Sequence, residues 1–367
     1  MLVGASLFGR LPDRIEQRRV LLVTVAADGV FGILSAFAPS FEALLVLRFL
    51  TGAAVGGTLP VDNAMMAEFL PLARRGRWLM LLEGFWAVGT IVIALAAWIA
   101  SAAGVTEAWR WLFALTALPA LIGIWLRLWV PESPMYLLKQ GREIEARAVL
   151  DRVLRANGKP PLAEEVVAPP SPPAEGMFSS GLRRRSILVM LLWFLVSISY
   201  YGVFTWMPPR LAEGGFGFVR GYGFLVLVAL AQVPGYALAA HGVERWGRRP
   251  TLIGFLLLSS AACLLFVVAD EPTTIGASIL MMSFALLGTW GALYAFTPEL
   301  FPTATRATGM GTAGAMARLG GLLAPSALAL VVAQGFGVAV ALFSVLLLLA
   351  AAAAFLIDAE TRGEALA

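Results

Sequence analysis

Apolar residues fill this chain in long blocks separated by short charged breaks. Blocks of about 20 residues, the length a helix needs to cross roughly 30 Å of hydrocarbon, recur from one end to the other. The pattern predicts membrane-spanning helices over 19–38, 41–68, 78–102, 109–130, 186–207, 219–241, 250–269, 273–299, 306–333 and 335–357. A shorter stretch, MLVGASLFG from Met1, lacks the basic start and small-residue cleavage site of a signal peptide and reads as the end of a further helix. From 133 to 185 the pattern changes: Glu143 with Arg147, and Asp151 with Arg155, sit four apart on a helix-like run, and KPPLAEEVVAPPSPP follows. This segment reads as a cytoplasmic linker, an amphipathic helix plus a Pro-rich stretch, joining membrane bundles at 1–132 and 186–367.

Composition agrees with that pattern and narrows the class. The 367 residues are 59% hydrophobic and 14% charged, with mean hydropathy +0.83, too few polar side chains to cover a water-soluble globule. The fold class is therefore an all-α membrane protein. A net charge of +4 does not point to nucleic acid, because the basic residues cluster in alternate breaks. Arg10 to Arg19, Arg74 to Arg77, Lys139 to Arg185, Arg245 to Arg249, Arg306 and Arg362 mark the cytoplasmic side; the other side keeps Arg110, Arg210 and Arg220. The C-terminus is then cytoplasmic, in a multi-pass protein of an inner or plasma membrane. Cys263 lies alone inside a span, so neither a disulfide framework nor a cysteine metal site is expected. With one His (His241), no nucleophile–base set and no phosphate loop, the sequence offers neither an enzyme nor ATP drive.

The charged breaks repeat. GRLPDRIEQRR, from Gly9, is echoed by GVERWGRRP from Gly242, setting Asp13, Arg14 and Arg18 against Glu244, Arg245 and Arg249. Glu68, Pro71 and Arg75 recur as Glu299, Pro302 and Arg306 at the same offset, about 231 residues. Two motifs sharing one offset imply a parallel internal repeat. The offset also places the counterpart of the span at Ser186 upstream of Met1, so the chain reads as a twelve-helix protein lacking helix 1 and part of helix 2.

GRLPDRIEQRR resembles the loop signature between helices 2 and 3 of the major facilitator superfamily, with Glu16 where that family usually has Gly. AEFLPLARRGR, PESPMYLL, PELFPTATRATG and ETRGEALA are similar to the branch of sugar porters, organic-ion transporters and aromatic-acid or nicotinate symporters. The resemblance implies two six-helix pseudo-repeats rocking about a central site. It also implies a cytoplasmic gate built from Asp13, Arg14, Arg18, Glu68 and Arg75 in one half and Glu244, Arg245, Arg249, Glu299 and Arg306 in the other. Charge-assisted bonds at a wet mouth suit such a bistable interface, because breaking them exposes ions to water instead of lipid.

Ionisable residues inside a span are costly and so point to function. Arg48 and Asp62 lie on one predicted helix, each about 9 Å in from its nearer end, and Glu83 lies at a similar depth on the next. Fourteen residues return a helix to nearly the same face, so Arg48 and Asp62 form one polar stripe. Asp28, about 14 Å deep, is expected to make a structural hydrogen bond. Arg318, about 18 Å beyond Arg306, offers a fork suited to a carboxylate. Trp86, Tyr200, Tyr201, Trp290 and Tyr294 complete the candidate pocket. The resemblance implies that Arg48 pairs with a proton-binding acid on helix 1, leaving Asp62 and Glu83 as the acids for proton coupling. FLVSISYYGVFTW lacks the Gln pair of sugar porters, and helix 5 lacks the Pro kink of drug antiporters. The expectation is a monomeric secondary transporter that uses the proton gradient, without a cofactor or metal, to import a small organic metabolite, an aromatic or other carboxylate. An organic cation or sugar carrier, and an inactive membrane fragment, are the alternatives.

Overall fold

A computed structural model describes residues 1–8, 16–70, 75–163, 176–213, 222–302, 305–327 and 329–361. Their regular structure is helical throughout, and nine helices among them are long and apolar enough to cross a membrane. Asp13 and Arg14 lie outside the described residues, as do the side chains of Arg75 and Arg306. The chain divides into two compact units, Met1–Leu70 with Trp109–Glu175 and Pro71–Ala108 with Gly176–Ala367.

The first unit contains α1 (Leu2–Phe8), α2 (Gln17–Ala36), α3 (Phe41–Phe69), α5 (Ala108–Trp129), α6 (Pro134–Lys139) and α7 (Glu143–Ala156). Local chemistry sets the α2–α3 turn. Arg110 donates to the carbonyls of Ala36 (2.9 Å) and Ala38 (3.1 Å), acceptors that the end of α2 leaves without a helical partner. Ser40 then caps α3, its hydroxyl accepting from the Ala43 N–H at 3.2 Å, with Glu42 in the first turn where the helix dipole favours an acid. In the linker, Arg142 holds Glu16 at 2.9 Å and Glu145 at 2.7 Å, while the Asp151 carboxylate accepts from the Leu162 N–H at 3.0 Å. The hydrogen bonds that it donates to Glu145 and Glu16 hold the Arg142 guanidinium still more firmly in its charged form.

The second unit contains α4 (Arg75–Ala102), α8 (Arg183–Glu213), α9 (Tyr222–Leu230), α10 (Gln232–Arg245), α11 (Arg248–Val267), α12 (Pro272–Phe296) with a 3-10 turn at Thr297–Leu300, α13 (Arg306–Ala327), α14 (Ala329–Gln334) and α15 (Phe336–Phe355). The block predicted as one span over 219–241 is broken at Ala231. Pro234 has no N–H for the Leu230 carbonyl, which removes one rung of the helical ladder at that point. Helices approach closely where a side chain is missing: a Cβ on Gly320 would meet the Phe194 carbonyl oxygen of α8 at 2.9 Å, and one on Gly235 would collide with that of Phe284 on α12. Hydroxyls tie the bundle where no water competes. Ser260 and Ser344 join α11 to α15 at 2.7 Å, and Ser283 on α12 donates to the Val228 carbonyl on α9 at 2.7 Å. Large apolar side chains such as Phe85, Leu264 and Phe355 remain exposed on the outside, as a lipid-facing surface requires.

Candidate functional site

Within the second unit, helical spacing brings aromatic rings from three helices together. On α8, Trp193 and Tyr200 lie seven residues apart on one face, and Tyr201 follows. On α12, Trp290 and Tyr294 are one turn apart. The Trp193 ring meets Tyr294 edge-on at 4.8 Å and Trp290 at 5.7 Å; Tyr200 meets Trp290 at 5.9 Å and Tyr201 at 5.2 Å. These are the edge-to-face geometries that aromatic quadrupoles favour. The Trp193 indole N–H donates to the Thr297 hydroxyl at 2.9 Å, which fixes the ring at the centre of the cluster. From α4, the Trp86 indole N–H reaches the Tyr200 hydroxyl.

Charge enters this cluster from two sides. Arg318 on α13 donates from Nη1 to the Tyr201 hydroxyl at 3.2 Å. Glu83 on α4 acts electrostatically on Tyr236 and Tyr294, and Arg318 acts on Tyr294 as well, so one phenol stands in the field of both an acid and a base. Glu83, Trp86, Tyr200, Tyr201, Trp290, Tyr294 and Arg318, all singled out from the sequence, thus belong to one cluster. The sequence reading missed Trp193, Tyr236 and Gln232. Gln232, one turn before Tyr236 on α10, is 3% exposed, and its Oε1 has no hydrogen-bond partner among the described residues. A buried amide left open in this way is a ready contact for a polar ligand or water. Its only signal in the sequence was a polar residue inside an apolar span, two residues before a Pro.

The first unit places Arg48 differently. Its guanidinium donates to the Ser35 hydroxyl at 2.8 and 3.2 Å and to Thr51 at 3.1 Å, and stacks over Phe113 at 4.5 Å. Asp28 is the acid that acts electrostatically on this half-buried guanidinium. Asp62 is half-buried on α3, and the described residues give it no hydrogen-bond or ion-pair partner.

The charged breaks form a seam in each unit. In the first, the Ser133 hydroxyl bonds Glu68, and the neighbouring Glu132 accepts the Ser133 N–H at 2.9 Å and the Arg18 N–H at 3.3 and 3.4 Å. Burial pushes the Glu132 carboxyl above its usual range, and the N–H bonds from Ser133 and Arg18 pull it part of the way back. In the second, Arg248 forks onto Glu299 at 2.9 and 3.1 Å, and the Thr361 hydroxyl bonds the same carboxylate. Glu360 accepts the N–H groups of Arg248 (2.9 Å) and Arg249 (3.1 Å). Arg249, singled out as a gate residue, turns its guanidinium to the carbonyls of Ala354 and Phe355. Glu244 has its Oε1 buried without a hydrogen bond among the described residues. The partner of Glu299 is Arg248, not Arg245 or Arg249. No group of three or more His, Cys, Asp or Glu among the described residues could hold a metal ion.

Comparison with known proteins adds to this geometry. The family described as "Sugar (and other) transporter" matches residues 1–367. The chain is similar to the niacin transporter NiaP of Acinetobacter baylyi, 36% identical across 100% of this chain and 84% of that protein. It is also similar to a putative niacin/nicotinamide transporter NiaP of Bacillus subtilis, 34% identical across 99% and 84%. Among solved structures, the proton:xylose symporter XylE, of the major facilitator superfamily, superposes with TM-score 0.81 at 18% identity, covering 100% of this chain and 85% of the other, a likeness of fold.

Proposed function

The chain belongs to the sugar (and other) transporter family, and on that premise we propose that it carries a small aromatic carboxylate of the pyridine-carboxylate kind across the membrane, together with a proton. It is a multi-pass membrane transporter of the major facilitator fold, and the family is one of transporters, not enzymes. One observation carries the choice of cargo: Arg318, whose guanidinium has several donors and a single described hydrogen bond, stands among the rings of Tyr201, Tyr200, Trp290 and Tyr294. A flat anion fits such a site at both ends, its carboxylate on the fork and its ring against the aromatic edges. The names of the two bacterial relatives support the same chemistry.

Glu83 is the proton carrier in this reading. An anionic cargo at Arg318 and a charged Glu83 repel each other, so the proton and the cargo enter together. The two seams act as the gate at the cytoplasmic face of the cell membrane, and the C-terminus lies on that side. Within the first unit, Asp28 and Arg48 act on each other electrostatically.

The test is uptake of labelled nicotinate by cells expressing the full chain. Arg318→Ala is expected to raise KM about 10- to 100-fold, the loss of one or two charge-assisted hydrogen bonds. Arg318→Lys should recover only part of it, because a point charge cannot replace the planar fork. Unchanged nicotinate uptake in Arg318→Ala would rule out the carboxylate assignment.

A further inference from the structure

Three consecutive arginines open α8, and their surroundings differ. Arg185 donates to the Leu300 carbonyl at 3.1 Å. Arg184 pairs with Asp358 at 2.7 Å and also reaches the Leu356 carbonyl at 3.2 Å. Arg183 is exposed, and its guanidinium has no hydrogen-bond or ion-pair partner among the described residues. Beside it lies a cavity of about 450 Å³ lined by Ser180, Arg183, Arg184, Ile187 and Leu188.

The lining is graded along the helix. Its polar members, Ser180, Arg183 and Arg184, stand at the start of α8, where the apolar span begins. Ile187 and Leu188 follow within the span. Ile187 is 49% exposed, and Leu191, one turn further, is 43% exposed, so an apolar lane runs from the cavity along the outer face of the helix. Asp358 offsets Arg184, which leaves the charge of Arg183 as the surplus facing the cavity.

We propose that this cavity binds the phosphodiester headgroup of an anionic phospholipid, with an acyl chain lying along Ile187 and Leu191. Arg183 and the Ser180 hydroxyl donate to the phosphate oxygens, and the apolar lane continues into the hydrocarbon. A water-soluble phosphate would use the same two donors and gain nothing from the lane, and a zwitterionic lipid would bring its own positive charge towards Arg183. Both differences favour an anionic lipid over either competitor.

Native mass spectrometry of the full chain in detergent, titrated with phosphatidylglycerol or phosphatidylcholine, tests this. Phosphatidylglycerol adducts are expected to exceed phosphatidylcholine adducts on the wild-type chain. They should fall about five-fold in Arg183→Gln, the contribution of one interfacial arginine, and largely persist in Arg183→Lys. Ile187→Glu, which keeps every arginine, should give a similar loss by obstructing the lane. Arg155→Gln, a charge removed from α7, should leave the adducts unchanged. Equal adducts in wild type and Arg183→Gln, equal binding of the two lipids, or displacement of phosphatidylglycerol by millimolar inorganic phosphate would each overturn the proposal.

Discussion

The two copies of the acidic seam hold two contacts in common and differ in the rest. In both, a hydroxyl from a Glu–Ser or Glu–Thr pair bonds the carboxylate: Ser133 to Glu68 in the first unit, Thr361 to Glu299 in the second. In both, the Glu of that pair accepts backbone N–H groups at the start of a membrane helix, Glu132 at α2 and Glu360 at α11. The second seam adds the Arg248 fork and is buried, with the side chains of Arg248 and Glu299 9% and 12% exposed. Glu68 is exposed. At the repeat offset of about 231, the first copy has Gln17 where the second has Arg248, and the Gln17 Oε1 is buried without a hydrogen-bond partner among the described residues. At this position one copy thus carries an arginine that forks onto the seam carboxylate, and the other carries a glutamine.

The largest expected effect comes from breaking the stronger copy. Arg248→Met leaves Glu299 largely buried and without its fork, which is expected to destabilise the second unit by about 3–5 kcal/mol. Glu68→Gln removes a charge from an exposed carboxylate and should cost under about 1 kcal/mol. Thermal inactivation in detergent, with both variants heated at one scan rate, compares them. Equal shifts would show that the two seams are equivalent, and the comparison would fail. The double variant Arg248→Met with Glu299→Leu should lose much less than the sum of the singles, since removing both partners leaves no orphaned charge.

A smaller effect sharpens the comparison from the other side. Gln17→Arg gives the first copy the residue that the second has at Arg248. If the scaffolds are alike, the new guanidinium forks onto Glu68 and raises thermal stability by about 1 kcal/mol, an effect that Glu68→Gln then abolishes. A loss of stability that Glu68→Gln leaves unchanged would mean that the first seam has no room for a fork.

The sequence made the helices and the repeat legible because both are written in periodic signals, apolar runs and charges at one offset. It also pointed to Glu83, Trp86, Tyr200, Tyr201, Trp290, Tyr294 and Arg318, since polar and aromatic residues inside a span are costly or distinctive. It could not say that Arg248, rather than its neighbour Arg249, would face Glu299, because that depends on rotation of α11 about its axis, which two adjacent arginines do not encode. Nor could it place Asp28 within the electrostatic reach of Arg48, which requires the register of α2 against α3. Gln232 was invisible because its significance is a missing partner, and partners exist only once the helices pack.

The smallest effect separates the two copies by titration at Glu132. Burial raises this carboxyl above its ordinary value in the folded protein, so the folded state holds its proton more tightly than the unfolded chain does. Below the ordinary carboxylate range both states are protonated and the group makes no pH-dependent contribution. As pH rises through that range and past the raised value, the folded protein must accept a partly buried charge, and stability falls. Glu132 is only partly buried and its carboxylate receives N–H groups from Arg18 and Ser133, so the change is expected to stay under about 1 kcal/mol. Glu132→Gln removes the titration. The variant should therefore gain less than wild type in thermal midpoint when the pH is lowered from neutral to the carboxylate range, with both measured in the same detergent. If the two profiles run parallel, Glu132 is charged at no penalty in the folded protein, and the difference between the copies rests on Arg248 and Gln17 alone.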